Sequence, residues 1–275
     1  IYNAPNYEEK FLRIFRRNQA LLLGFFLFLS FLTPAFAVAE QQNHVSVTVY
    51  AGTTQVKAGD IIQIAVEHSI DPHWHIYWLN PGDSGTPPDI NWILPEGFEI
   101  GPIQFPLPET IPYDPLVNYG YENEATLIQD LKIPESIGDK PLILNGTVNL
   151  LVCKDICIPE THPISLTLNG PTKGERESLN QALKTFPDNV PWDFTISELA
   201  DDLVVHLKTD SFSKDVFQNI GTIELLPEDW GLIDNTARTG AHWHDNVLEI
   251  IHPRGTRALD DVTNFSFVIA YINNC

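Results

Sequence analysis

The chain has 275 residues, 36 of them acidic and 16 basic, for a formal net charge of −20 at neutral pH. Nucleic-acid binding draws its affinity from neutralising phosphates, so a balance this acidic opposes it. Past the first 39 residues the length suits one large or two medium domains, and 21 prolines would break most long helices.

Residues 1–39 read as a targeting segment. Lys10, Arg13, Arg16 and Arg17 form a positive n-region and residues 20–32 an apolar core. Ala35-Phe36-Ala37 or Ala37-Val38-Ala39 is a small-residue cleavage site. The core falls short of the about 20 residues that a comfortable membrane span takes, and Pro34 follows it. A signal peptide is therefore expected, with an uncleaved anchor as the other reading of the uncharged run 19–39. On either reading the remainder is exported to an oxidising compartment, where disulfides persist. There is no methionine, even at position 1, so the sequence is expected to begin inside a longer one.

Short apolar alternations recur at 45–49, 62–66 and 164–168, separated by Gly, Pro, Asn and Asp clusters. This is the pattern of an all-β sandwich or barrel. Residues 174–185 read as helical after Asn169-Gly170-Pro171, and are taken as the linker between two domains, 40–170 and 171–275. The second half repeats the strand pattern at 203–207, 222–226 and 265–269. An echo of Leu94-Pro95-Glu96 in Leu226-Pro227-Glu228, each after an alternating stretch, points to two related sandwiches.

Two of the three cysteines lie in Leu151-Val152-Cys153-Lys154-Asp155-Ile156-Cys157-Ile158-Pro159. On one straight strand Cys153 and Cys157 would stand about 13 Å apart, at roughly 3.3 Å per residue. A disulfide needs Cα atoms within roughly 4.4 to 6.8 Å, so a bonded pair must lie on a tight turn, a bulge or one helical turn. The β-branched approach and Pro159 favour a turn between two short strands. A ring this small removes little entropy from the unfolded chain, which suits exchange better than stapling. A structural disulfide and two buried free thiols remain the alternatives. Zinc fits poorly, because closed sites want four ligands and only His162 is near in sequence. Lys154 and Asp155 are the charges placed to modulate the pair, the aspartate against thiolate formation, so modest nucleophilicity is expected.

Two His-Trp-His triplets, at 73–75 and 242–244, put metal ligands into view, His73 and His75 above all. On a strand both imidazoles would share a face, yet histidines flanking a core tryptophan are the simpler reading. Cys275 follows Asn273-Asn274 at the chain end and is expected to take no part in exchange.

In chain order, His73-Trp74-His75-Ile76-Tyr77-Trp78-Leu79-Asn80-Pro81-Gly82-Asp83-Ser84-Gly85, Leu94-Pro95-Glu96-Gly97-Phe98, Tyr119-Gly120-Tyr121-Glu122 and the cysteine block resemble the periplasmic N-terminal region of the DsbD family of thiol:disulfide interchange proteins. The closer likeness is to its ScsB-like branch, associated with copper tolerance. Gly231-Leu232-Ile233-Asp234-Asn235 and Arg257-Ala258-Leu259 resemble the second immunoglobulin-like domain of that branch.

The resemblance implies two tandem immunoglobulin-like β-sandwiches after a signal peptide, truncated before a membrane region. It implies a component of a protein-disulfide reductase that works in the periplasm without a cofactor. Electrons would come from a membrane-embedded donor domain and go to thioredoxin-like periplasmic proteins, with Cys157 forming the mixed disulfides and Cys153 resolving them. In the family an aromatic cap shields the pair. Asn118 stands here where better-known members carry that aromatic, so either Tyr119 or Tyr121, in a proline- and glycine-bearing stretch 111–123 read as a long surface loop, covers Cys157, or these tyrosines pack into the sandwich edge and nothing caps the pair. The competing functions are a copper-binding module using Cys153, Cys157 and histidines, since thiolates suit Cu(I), and an assembly domain with an inert disulfide.

Overall fold

The computed structural model describes residues 42–138, 140–171, 174–190, 192–208, 220–244, 246–263 and 265–273. Residues 1–39, read above as a targeting segment, and Cys275 lie outside these residues. Asn43–Cys275 form one compact unit, built almost wholly of strands.

The first half contains β1 (Val45–Ala51), β2 (Ile61–Ile70), β3 (His75–Gly82), β4 (Asp89–Ile93), β5 (Glu99–Ile100), β6 (Glu109–Tyr113), β7 (Leu116–Glu122), β8 (Glu124–Lys132), β9 (Leu142–Cys153) and β10 (Cys157–Leu168). They form two antiparallel sheets, one ordered β1-β2-β8-β5, the other β10-β9-β3-β7-β6 with β4 pairing β9. Alternation explains the sandwich. Ile62, Ile64 and Val66 of β2 and Leu127 and Leu131 of β8 meet Ile76 and Trp78 of β3 and Leu144, Val148 and Val152 of β9 in one core. Each such side chain contributes about 1.5 to 3 kcal/mol when fully buried.

The strands at the cysteine pair are longer than expected. β9 and β10 form a hairpin whose register runs from Leu142↔Leu168 to Cys153↔Cys157. Glu160 and His162 hide the alternation of β10 because both are polar and both are buried. They satisfy each other, His162 Nε2 lying 2.9 Å from Glu160 Oε2, and the same carboxylate accepts the His44 and Val45 backbone N–H groups. A buried carboxylate is tolerated when its lone pairs are filled in this way. Pro159 and Pro163 fit because β10 is an edge strand, where a missing N–H leaves no ladder bond unmade.

The stretch read as a long surface loop, 111–123, is instead the β6–β7 hairpin with its tip at Asp114-Pro115. Pro112 concealed β6, which is the other edge of the sheet. Gly120 concealed β7. A Cβ there would sit 2.1 Å from the Ile76 carbonyl oxygen, so the close approach of β3 and β7 requires glycine.

The helix expected in 174–185 is present as α1 (Arg176–Ala182), followed by a 3₁₀ turn at Leu183–Thr185. Its Leu179 packs on Tyr50, Ala65 and Ile128, the outer face of the first sheet. Beyond it lie β11 (Asp193–Leu199), β12 (Asp202–Lys208), β13 (Ile220–Pro227), β14 (Gly240–His244), β15 (Val247–Pro253) and β16 (Phe267–Asn273). These make a sheet ordered β11-β12-β15-β14 and a two-stranded sheet β13-β16, facing each other across a second core that includes Val205, Leu225 and Ile250. The opposite face of β13-β16 presents Leu226, Val268 and Ala270 to the first core. Asn80 adds hydrogen bonds to the Pro227 and Asp229 carbonyls, and Asn235 one to Asp83.

Candidate functional site

Cys153 and Cys157 are joined by a disulfide with Cα atoms 4.1 Å apart, at the closing pair of the β9–β10 hairpin. The tip is Lys154-Asp155-Ile156, held by a Lys154 N–H to Ile156 carbonyl bond of 3.0 Å. The two cysteines differ in access. Cys153 ends a buried strand and is 2% exposed, whereas Cys157, Lys154, Asp155 and Ile156 are all exposed. Ile156 is 65% exposed and sets an apolar side chain beside the reachable cysteine.

Strand parity decides what surrounds the pair. On β3, Ile76 and Trp78 point into the core, so His75 and Tyr77 take the outer face. His75 stands opposite Cys153 on β9 and Glu122 on β7, and Tyr77 stands opposite Gly120. The Tyr77 hydroxyl lies 3.9 Å from Cys157 Sγ and 3.3 Å from His75 Nε2. The two rings meet edge to face with centroids 5.2 Å apart. Gly85 makes room for the tyrosine, since a Cβ there would fall 2.2 Å from its ring, and its φ of +102° also favours glycine. Burial pushes the Tyr77 phenol up to about 12, with nearby Tyr113 adding to the shift. Burial also lowers His75, partly offset by Glu122.

The residues expected to cap the pair are divided by the same parity. Tyr119 and Tyr121 point into the core, where Tyr119 meets Trp78 edge to face and the Tyr121 hydroxyl donates to the Pro106 carbonyl at 2.8 Å. Neither is a lid over Cys157. Asn118 lies on the outer face, buried, accepting hydrogen bonds from the Ser84 N–H and hydroxyl. It thereby steadies the turn that carries Gly85 against Tyr77. The tyrosine that reaches the cysteine tip is Tyr113, 41% exposed, whose hydroxyl donates to the Asp155 carbonyl at 3.4 Å.

Tyr77 was missed as a site residue. The available signal was its spacing, two positions after His75 on a stretch that alternates with core residues.

The histidine triplets do not build matching sites. His73 sits in a turn at φ +71° and is exposed, while His75 begins β3 and is buried, so the two imidazoles do not share a strand face. Trp74 stacks on His44 at 3.8 Å. His242 and His244 do share the exposed face of β14, flanking Trp243, which packs on the second core. Among the described residues no group of three or more His, Cys, Asp and Glu side chains is arranged to hold a metal ion. Among them, too, no helix is long and apolar enough to cross a membrane.

Residues 41–169 match the family described as thiol:disulfide interchange protein DsbD, N-terminal. The fold is similar to the N-terminal periplasmic domain of ScsB from Proteus mirabilis, with a TM-score of 0.59 at 20% identity, over 84% of this chain and 90% of that one. Two other solved structures overlap far more loosely and carry no argument. One is a DUF4466 family protein from Parabacteroides merdae, with a TM-score of 0.25 at 10% identity over 77% of this chain and 99% of that one. The other is the sporulation control protein Spo0M from Bacillus subtilis, with a TM-score of 0.24 at 11% identity over 84% of this chain and 91% of that one. No curated protein matches the chain significantly. With the disulfide at the hairpin tip and the match spanning the whole first sandwich, residues 41–169 form a domain similar to the N-terminal domain of the thiol:disulfide interchange protein DsbD.

Proposed function

We propose that the chain is a periplasmic relay that passes electrons through Cys153 and Cys157 to thioredoxin-like proteins. The observation that carries this reading is the unequal access of the two cysteines, Cys153 buried and Cys157 exposed at the hairpin tip. Thiol exchange requires a thiolate to attack one sulfur while the other leaves. When a donor thiolate attacks Cys157 Sγ, the Cys153–Cys157 bond breaks and Cys153 leaves as a thiolate. A second donor thiol then releases reduced Cys157 and carries away the donor disulfide. In the opposite half-cycle Cys157 attacks the partner disulfide, and Cys153 attacks Cys157 Sγ to free the reduced partner. Exposed Ile156 and Tyr113 supply an apolar rim for that docking, and displacing Tyr113 from Asp155 breaks one long hydrogen bond.

A membrane-embedded domain as the electron donor, export through residues 1–39, and a division into an exchange domain at 40–170 and a second immunoglobulin-like domain at 171–275 belong to the same proposal. Each sandwich has its own core, which supports the division. The trapping experiment is direct. A reduced Cys153→Ser variant should accumulate a mixed disulfide between Cys157 and a thioredoxin-like protein whose one active cysteine is supplied as an aryl mixed disulfide, the aryl thiol leaving as Cys157 attacks. If Cys157→Ser traps the partner instead, or neither variant does, the proposal fails.

A further inference from the structure

We propose that His75 is the proton acceptor for Cys157, acting through the Tyr77 hydroxyl. The assignment rests on the thiol-exchange reading and adds to it the source of the reactive thiolate. Three polar atoms form a line: His75 Nε2, the Tyr77 hydroxyl 3.3 Å away, and Cys157 Sγ a further 3.9 Å on. In the reduced protein the Cys157 thiol gives its proton to the tyrosine oxygen as the tyrosine gives its own to Nε2. The products are a Cys157 thiolate and a His75 imidazolium, and no electron moves. The thiolate then attacks the partner disulfide. The proton returns along the same line to the sulfur released.

The line is held in place. His75 and Tyr77 are 4% and 1% exposed, on adjacent same-face positions of β3, and Gly85 packs against the phenol ring. Burial keeps the phenol protonated at neutral pH, so it conducts a proton without becoming the base. Burial equally keeps the imidazole neutral and able to accept.

Several groups face this pair from its neighbours. From β7, Glu122 stands opposite His75, and its charge favours the imidazolium. From β6, Glu109 interacts with Glu122, and Tyr113 with Tyr77. From β9, Cys153 stands opposite His75, while Lys154 and Asp155 lie out in solvent at the tip. A buried proton path of this kind matters here because the tip's lone cation, Lys154, is matched by Asp155.

The test is the pH profile of Cys157 alkylation by iodoacetamide in the reduced protein, from about pH 5 to about pH 9, since only the thiolate reacts. Tryptic cleavage after Lys154 places Cys153 and Cys157 on different peptides, so each is read separately. If His75 accepts the proton, the parent profile carries a pH-independent shoulder that begins at the imidazole titration and ends where the thiol itself titrates. His75→Gln and Tyr77→Phe should both remove the shoulder and slow alkylation near pH 6 by about tenfold or more. Tyr77→Phe keeps the ring and its packing, so it reports on the hydroxyl alone. A parent profile that climbs tenfold per pH unit through one titration overturns the assignment, as does a shoulder that survives in Tyr77→Phe. Failure of the trapping experiment with the shoulder present would instead remove the partner reading and leave the proton path standing.

Discussion

Reducing the Cys153–Cys157 bond should leave the fold intact and lower its stability by only about 2 kcal/mol. The cysteines are four positions apart. Closing a loop of about five residues removes about 7 cal/mol/K from the unfolded chain, or about 2 kcal/mol at 25 °C. The hairpin has ample other support. Its register continues from Cys153↔Cys157 to Leu142↔Leu168, and Leu144, Val148, Leu150, Ile164, Leu166 and Leu168 are buried along it. Each contributes about 1.5 to 3 kcal/mol, so the core outweighs the cross-link several-fold. For a unit of this size each kcal/mol moves Tm by about 2 to 4 °C, which sets the expected drop at about 4 to 8 °C. The assay is thermal unfolding followed by circular dichroism, with and without a reductant, checking by alkylation that both thiols are free. A loss of tens of degrees would show that the bond is a staple, and would refute the argument that its role is exchange.

Glu160→Ala should cost about 3 to 5 kcal/mol, because it strands His162 and two backbone N–H groups in a buried site; an unfolding free energy from urea titration that falls by less than about 1 kcal/mol would contradict this. Stability should also fall in acid through His68, which burial lowers to about 4 from an ordinary 6.5. Between those values the unfolded chain binds a proton the folded one refuses, so stability drops as pH falls through the window, by about 3 kcal/mol in all. His252 and His75, lowered by burial, act in the same sense. Urea titrations at several pH values should show a shallower acid loss in His68→Gln than in the parent, and equal losses would refute the assignment. Tyr113→Ala should speed alkylation of reduced Cys157 with little change in Tm, whereas Tyr119→Ala should cost about 3 to 5 kcal/mol as a core truncation. The reverse pattern would show that the lid is Tyr119 after all. Gly85→Ala should disorder the site, since the new Cβ overlaps the Tyr77 ring; an unchanged Cys157 reaction profile would count against the relay geometry.

Much of this protein was legible because β-structure is written locally. The period-two alternation of β2 and of 164–168 specified strands with one buried face, and the four-residue cysteine spacing required a turn wherever the pair is bonded. Where local signs failed, pairing partners supplied the missing term. Pro159 reads as part of a turn, yet it, Pro112 and Pro163 sit in edge strands that need no inward N–H. Glu160 and His162 interrupt the apolar alternation of β10, yet fill each other's hydrogen bonds in the interior. Which tyrosine faces the sulfurs could not be read at all from nearness in sequence. Tyr119 and Tyr121 share the parity of the core, and Tyr77, 80 positions from Cys157, reaches it because β3 pairs with β7 and β9 in one particular register. A one-residue slip in that register would turn His75 and Tyr77 inward and Ile76 outward. The sequence alone thus determined the alternating strands and the turn that a bonded cysteine pair needs, while the concealed strands and the site around the pair were decided by long-range pairing, which sets the face each side chain takes.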